Sequence, residues 1–241
     1  MINPMTANSL HRALLGLFLA LVVGACSQRR VVVIAPAVDA EQTALALEDH
    51  TSLEYPIRIL FDWELNEQGV RVKGRGVARI EPPYKARLDL FLNSGTAVVR
   101  AALVNGELRM PPGAPRDILP PPDLMWGTLG VFRPEFGTEL IGGDRLVGEA
   151  LRLRYRYGDG TELHYGLKDG VLKTLELIER GSVVQRVEVD LEEGSRYPVT
   201  AIYRNLAAFR ELKITRRELT QVESFPPDIW DPVGPEGAES R

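Results

Sequence analysis

Few residues in this sequence could make or break a bond. There is one thiol, Cys26, and three histidines, His11, His50 and His164, lie far apart in the chain. No Gly-x-Ser-x-Gly turn presents a serine, no histidine sits next to a plausible serine nucleophile, and no glycine-rich loop has phosphate-binding spacing. A lone cysteine with these histidines does not make a Cys/His zinc site. Glu192-Glu193 are adjacent carboxylates, but neighbours on a strand point to opposite faces and a glycine follows. Arg152, Arg154 and Arg156 share one face of a strand. They read as a solvated row paired with acids across a sheet, or as a docking patch for an acidic partner. His164 alternates with Leu163 and Tyr165 and so faces the surface; Asp159, between two glycines, is a turn residue. These residues predict no enzyme, no cofactor and no metal.

The chemistry that remains is acylation of the Cys26 thiol. Residues 1–12 are polar and carry one basic side chain, Arg12, and residues 13–25 are uncharged and almost wholly apolar. Such a run makes about 20 Å of helix, too short for a hydrocarbon core of about 30 Å, and matches a secretory signal. Val23-Gly24-Ala25-Cys26 resembles the lipobox of bacterial lipoproteins: an aliphatic residue, two small ones, then the acceptor cysteine. The expectation is cleavage after residue 25 and attachment of acyl chains such as palmitate to Cys26. Each buried methylene contributes about 0.8 kcal/mol, so two or three long chains hold a protein on a membrane. Ser27 in place of an aspartate favours the outer membrane, on its periplasmic side, over the inner membrane.

Removing residues 1–25 from 241 leaves 216, enough for one domain with a substantial core. It takes one arginine from 29 basic residues and nothing from 33 acidic ones, for a net charge of −5. The two signs are interspersed. Nothing forms the basic stripe that nucleic acid requires, and no internal disulfide is possible with one cysteine. Residues 26–52 read as a lipidated tether with a short helix over 39–49, Asp39 as its cap and Leu45 and Leu47 as its apolar positions. Residues 232–241, rich in Gly, Pro and Glu, read as a disordered tail.

Between them, over 53–231, the signal is period two. Ile57, Ile59, Phe61, Trp63 and Leu65 share one face; Val70, Val72, Gly74, Gly76, Ala78 and Ile80 form a second set. Ala86, Leu88, Leu90 and Leu92 continue the pattern, as do Leu151, Leu153, Tyr155 and Tyr157. Asn105-Gly106, Gly158-Asp159-Gly160, Asp169-Gly170 and Arg180-Gly181 supply tight turns. The prediction is a mainly β fold: a single large curved antiparallel sheet, an open half-barrel of about eleven strands.

The meander is interrupted at 111–138. Pro111-Pro112-Gly113 and Pro120-Pro121-Pro122 cannot continue a central strand. Leu124, Met125, Thr128, Leu129 and Phe132 then fall at helical spacing, with Trp126 among them, predicting a short apolar helix. A curled sheet with such a helix across its mouth encloses either a solid core or a lined pocket. Gly74 and Gly76, facing inward, leave space and favour the pocket.

The order of these features is a lipobox, a tether, and a strand with Phe61-Asp62-Trp63 towards its end. A Gly-rich strand leads to Glu81-Pro82-Pro83-Tyr84, Asn93-Ser94-Gly95 joins further strands, an apolar helix follows, and Phe225-Pro226-Pro227-Asp228-Ile229-Trp230 closes the chain. Over residues 55–230 this resembles the lipoprotein-carrier superfamily of LolA and LolB, and more closely the bacterial outer-membrane lipoproteins with that half-barrel. The resemblance implies a helix-lidded sheet whose hollow binds acyl chains of other lipoproteins. Phe61, Trp63, Leu88, Leu90, Leu153 and Tyr155 would be core or pocket lining; Leu124, Met125, Trp126, Leu129 and Phe132 would close the core or form a lid. The receptor carries an apolar side chain on an early loop, whereas Asn93-Ser94-Gly95-Thr96 is polar, which leaves delivery to a bilayer without that support. The functional expectation is a membrane-anchored periplasmic lipoprotein binding lipid or the acyl chain of a lipoprotein, with lipoprotein localisation as the role that such binding would serve. The alternative is a non-catalytic structural or adaptor lipoprotein of the envelope.

Overall fold

The computed structural model describes residues 32–36 and 39–232; the expected signal segment 1–25, Cys26 and the residues from 233 onward lie outside the described residues. The chain forms β1 (Val33–Pro36), helix α1 (Ala40–Thr51), and a first meander of β2 (Ile57–Glu67), β3 (Val70–Glu81), β4 (Lys85–Leu92), β5 (Ala97–Val104) and β6 (Glu107–Arg109). Helix α2 (Pro122–Thr128) follows. A second meander comprises β7 (Glu139–Leu146), β8 (Leu151–Arg156), β9 (Glu162–Lys168), β10 (Val171–Glu179), β11 (Ser182–Leu191), β12 (Pro198–Asn205) and β13 (Arg210–Gln221). The strands form one 13-stranded sheet ordered β1-β7-β8-β9-β10-β11-β12-β13-β2-β3-β4-β5-β6. Its edges, β1 and β6, are not bonded to each other, so the sheet stays open. It exceeds the expected eleven strands because β1 and β6, four and three residues long, are too short to display a period of two.

The two meanders join through β13 and β2, antiparallel in register from Arg210 opposite Glu67 to Gln221 opposite Ile57, with a bulge at Arg217. Along β2 the alternation is as expected: Ile57, Ile59, Phe61, Trp63 and Leu65 are all buried on the inner face. The inward glycines do not leave a space. Register places Trp63 opposite Gly74 and Phe61 opposite Gly76. A Cβ on Gly74 would lie 1.9 Å from the Phe91 carbonyl oxygen and 2.8 Å from the Trp63 ring, and one on Gly76 2.2 Å from the Phe61 ring. Each aromatic ring thus fills the room its glycine partner vacates, and the Trp63 indole N–H donates to the carbonyls of Arg75 (3.1 Å) and Phe91 (3.2 Å).

The sheet order dictates where the interruption must go. β6 is one edge, and β7 lies beside β1 at the other. Residues 110–138 therefore cross the width of the sheet, and their apolar side chains take them across the inner face. Arg210 pins the start of the crossing, donating to the Asp117 carbonyl at 2.5 Å and pairing with Asp117 and Glu67. Helix α2 packs on β10, β11 and β12, with Gly127 allowing close approach: a Cβ there would lie 2.5 Å from Leu175 Cδ2. The helix is shorter than its apolar spacing predicts. Gly130, at φ +82°, donates to the Gly127 carbonyl, and Val131 N donates to the Trp126 carbonyl at 3.0 Å, the paired bonds of a Schellman stop. Phe132 lies beyond it, its backbone N–H bonded to Thr51 Oγ1 at 3.0 Å.

Helix α1 starts as expected, with Asp39 accepting from Gln42 N at 2.8 Å. Ala44, Leu47 and Thr51 are its buried residues, and Leu47 joins the same core as the sheet. Leu45 does not, since residues two apart on a helix cannot share a face. The outer face of the sheet is polar and paired across strands: Glu176–Arg186 at 2.5 Å, Arg204–Glu188 at 2.9 Å and Arg204–Glu211 at 2.7 Å. There a 3-10 turn at Pro227–Trp230 covers β4 and β5, burying Trp230 and accepting from Arg87 through the Ile229 carbonyl at 2.6 Å.

Candidate functional site

The eleven residues expected to line or lid a hollow come together in one continuous core, and every one of them is buried. With α2 in place the inner face is filled. The space between α2 and strands β2, β3, β4, β12 and β13 is a void of about 20 Å³, bordered by Phe61, Leu88 and Leu129 among others. That is room for one water molecule and not for a hydrocarbon tail.

The larger open space lies at the mouth. A groove of about 600 Å³ runs between α1 and the chain leaving α2. Of the expected residues only Phe132 and Tyr155 reach it; Leu45, Tyr84, Phe136 and Leu140 supply the remaining large apolar surface. Leu45 (67 % exposed) and the fully exposed Phe136 offer apolar side chains to whatever enters. The floor is aromatic. Phe132 packs edge-on against Tyr165 at 4.7 Å and Tyr155 at 6.0 Å between ring centroids, which couples the groove to the core beneath. Arg133 lays its guanidinium over the Tyr84 ring at 3.5 Å and lies 5.7 Å from that of Trp126; its Nη1 is buried without a hydrogen-bond partner. Glu41 and Glu48 of α1 and Glu135 across from them line the rim. Burial and then the charge of Glu48 push the Tyr155 hydroxyl up to about 12.

The far end of α2 is held by a second device. Its N-terminus has no side-chain cap; Asp123 in the first turn instead accepts a hydrogen bond from the hydroxyl of Tyr157, the residue after β8. Burial, with a smaller contribution from Glu135, pushes the Asp123 carboxyl up to about 6 against the opposing effects of that hydrogen bond and of Arg133. Tyr157 is raised by burial and by the Asp123 charge, and fully buried Tyr165 by burial. Two donors on this interface, the Tyr165 hydroxyl and the Trp126 indole N–H, are buried without a partner.

The fold has counterparts among solved structures. The chain superposes on a LolA superfamily protein from Nitrosomonas europaea with a TM-score of 0.54 at 12% identity, covering 80% of this chain and 98% of that one. The fold is LolA-like. A DUF1329 family protein from Desulfovibrio piger gives a TM-score of 0.51 at 8% identity over 82% of this chain and 98% of that one. No protein-family model matches the sequence, and no curated protein matches it. At these identities the likeness concerns the fold alone.

Other residues weighed in the sequence take ordinary places on the LolA-like sheet. Arg152 and Arg154 share Asp144, at 2.5 and 3.3 Å, and Arg156 pairs with Glu162 at 2.9 Å, so each arginine of the row has a carboxylate partner across strands. His164 does lie on the outer face, yet only 12% of its side chain is exposed; it bonds Glu162 at 2.9 Å, and burial lowers its pKa. Asp159 is a turn residue, accepting from Thr161 N at 2.9 Å. Sequence reasoning missed Tyr84, Arg133 and the rim carboxylates, because the crossing segment brings them together from three separate stretches of chain. The one available signal was Leu45, the apolar residue of α1 that could not share a face with Leu47.

Proposed function

We propose that this chain is an exported lipoprotein, acylated at Cys26 and held on the periplasmic side of the outer membrane, whose LolA-like sheet binds an acyl chain of a lipid or of another lipoprotein, for lipoprotein localisation. The observation that carries the reading is the open groove of about 600 Å³, lined by Leu45, Tyr84, Phe132, Phe136, Leu140 and Tyr155 and continuous with the apolar core through Phe132 and Tyr155. That volume falls within the roughly 300–1,000 Å³ of ordinary small-molecule sites. The expected lid and lining residues, Leu124, Met125, Trp126 and Leu129 above and Phe61, Trp63, Leu88, Leu90 and Leu153 below, then act in a second step. A chain end entering beside Phe132 would displace α2 and take its place on the inner face.

The closed lid is suited to such exchange. It is a single short helix with two glycines in or beside it, and its interface holds two unpaired buried donors that each cost roughly 1–3 kcal/mol. Native mass spectrometry of the full-length protein, extracted gently from membranes, tests the reading. Release of a bound acyl species distinct from the covalent anchor is the expected result. A protein that carries none, and whose fluorescence does not respond to added monoacylglycerol, would remove the carrier function. A structural or adaptor role draws support from one observation, the inner face packed to a residual void of about 20 Å³. Under that role, crosslinking in cells captures a protein on the sheet and no lipid.

A further inference from the structure

The groove carries more information than its apolar lining. Along α1 the residues that face it are Glu41, Ala44, Leu45 and Glu48, spaced as one helical face, so an apolar pair is bracketed by two carboxylates. The opposite wall adds Glu135. All three acids are exposed at the rim, while the one cation of the lining, Arg133, sits partly buried against the Tyr84 ring. Its charge faces an aromatic surface, and its Nη1 hydrogens have no acceptor. Three carboxylates against one guanidinium leave the lining at −2.

We propose that this groove selects its ligand by the charge of the headgroup, accepting acyl chains carried on an uncharged ester or amide and rejecting chains that end in an anion. The inference rests on the acyl-binding reading above and narrows it. An ester or amide carbonyl is an acceptor without net charge. It can accept from Arg133 once a shift of that guanidinium off the Tyr84 ring brings its buried, unpaired Nη1 to the groove, and it adds nothing to the repulsion from Glu41, Glu48 and Glu135. A carboxylate or phosphate would meet the same donor but would bring a negative charge among three others, in a space where apolar walls weaken solvent screening. The rise of the Tyr155 hydroxyl, to which the Glu48 charge contributes, shows that the field of the rim reaches the floor of the groove.

The test uses full-length protein and three probes that share a twelve-carbon chain, each below its micelle concentration: monolaurin, N-lauroyl ethanolamide and laurate. Binding is read by calorimetry at pH 7.5 and low salt. Monolaurin and the amide are expected to bind at least tenfold more tightly than laurate. In an E41Q/E48Q/E135Q variant, altered only at exposed positions, the gap should close mainly through improved laurate binding. Equal affinities for the three probes, or tighter binding of laurate, would overturn the charge selection while leaving an acyl-binding groove in place. Binding of none of them would overturn both the selection and the reading on which it rests.

Discussion

Replacing Asp123 with Asn removes a buried charge from the N-terminus of the lid helix and keeps an oxygen able to accept from Tyr157. The groups that face Asp123 are Tyr157 and Tyr165 from the sheet, Asp159 from the adjoining turn, and Arg133 and Glu135 from the chain beyond α2, with Glu179 across the neighbouring pocket. In the folded protein the carboxyl titrates at about 6, against 3.8 for an ordinary aspartate. The sign follows from linkage. A carboxyl raised by folding adds no penalty below pH 3.8, and the penalty grows until the pH has passed 6. A gap of about two units corresponds to roughly 3 kcal/mol once both forms are ionised, of which about 1.4 kcal/mol develops between pH 5 and 7.5. Partial solvent access and the loss of a favourable charge at a helix N-terminus, about 0.3–1 kcal/mol, reduce what the substitution recovers. D123N is therefore expected to stabilise the protein by about 1–2 kcal/mol at pH 7.5 and by clearly less at pH 5. Urea unfolding at both pH values measures this, and the difference between the two proteins cancels the other titrating groups, His164 among them. A variant less stable at pH 7.5, or one with the same pH dependence as the parent, would refute the reasoning.

Two further substitutions probe how the site is held. Gly74→Ala places a Cβ 1.9 Å from the Phe91 carbonyl oxygen, backbone that cannot yield without opening the β3–β4 pairing. A loss of at least about 2 kcal/mol is expected, and a lowered urea midpoint with an unchanged slope would show it. Arg210→Ala strips Glu67 and Asp117 of their shared partner and frees the start of the crossing segment. It should cost about 1–2 kcal/mol, since the two carboxylates left behind are largely exposed, and speed hydrogen exchange across 110–132 more than across β8 to β10; uniform acceleration would argue against a local pin.

Much of the sheet could be read directly from the chain. A half-buried antiparallel strand writes its own pattern, so β2, β3, β4 and β8 are visible as alternation, and turns such as Asn105-Gly106 between β5 and β6 and Asp169-Gly170 between β9 and β10 as residue pairs. The lid was visible for a similar reason, as an apolar helical run after prolines. Its end was not: Gly130 stops the helix by donating to Gly127 while Val131 donates to Trp126, which separates Phe132 from the helical face that its spacing predicts. The role of the inward glycines was misread too. Alternation shows that Gly74 and Gly76 point inward, but only cross-strand register shows that Trp63 and Phe61 lie over them.

The sequence by itself therefore determined the things that depend on neighbours along the chain: the strand periodicity, the turns and the existence of a short apolar helix after the prolines. Tertiary structure alone decided what fills the inner face and where open space survives. The passage from β6 to β7 spans the sheet, and that single crossing lays the chain after α2 beside α1 and Tyr84, residues about 50 to 90 positions away. Contacts of that kind depend on how strands are ordered in space, and no local pattern of residue types encodes that order.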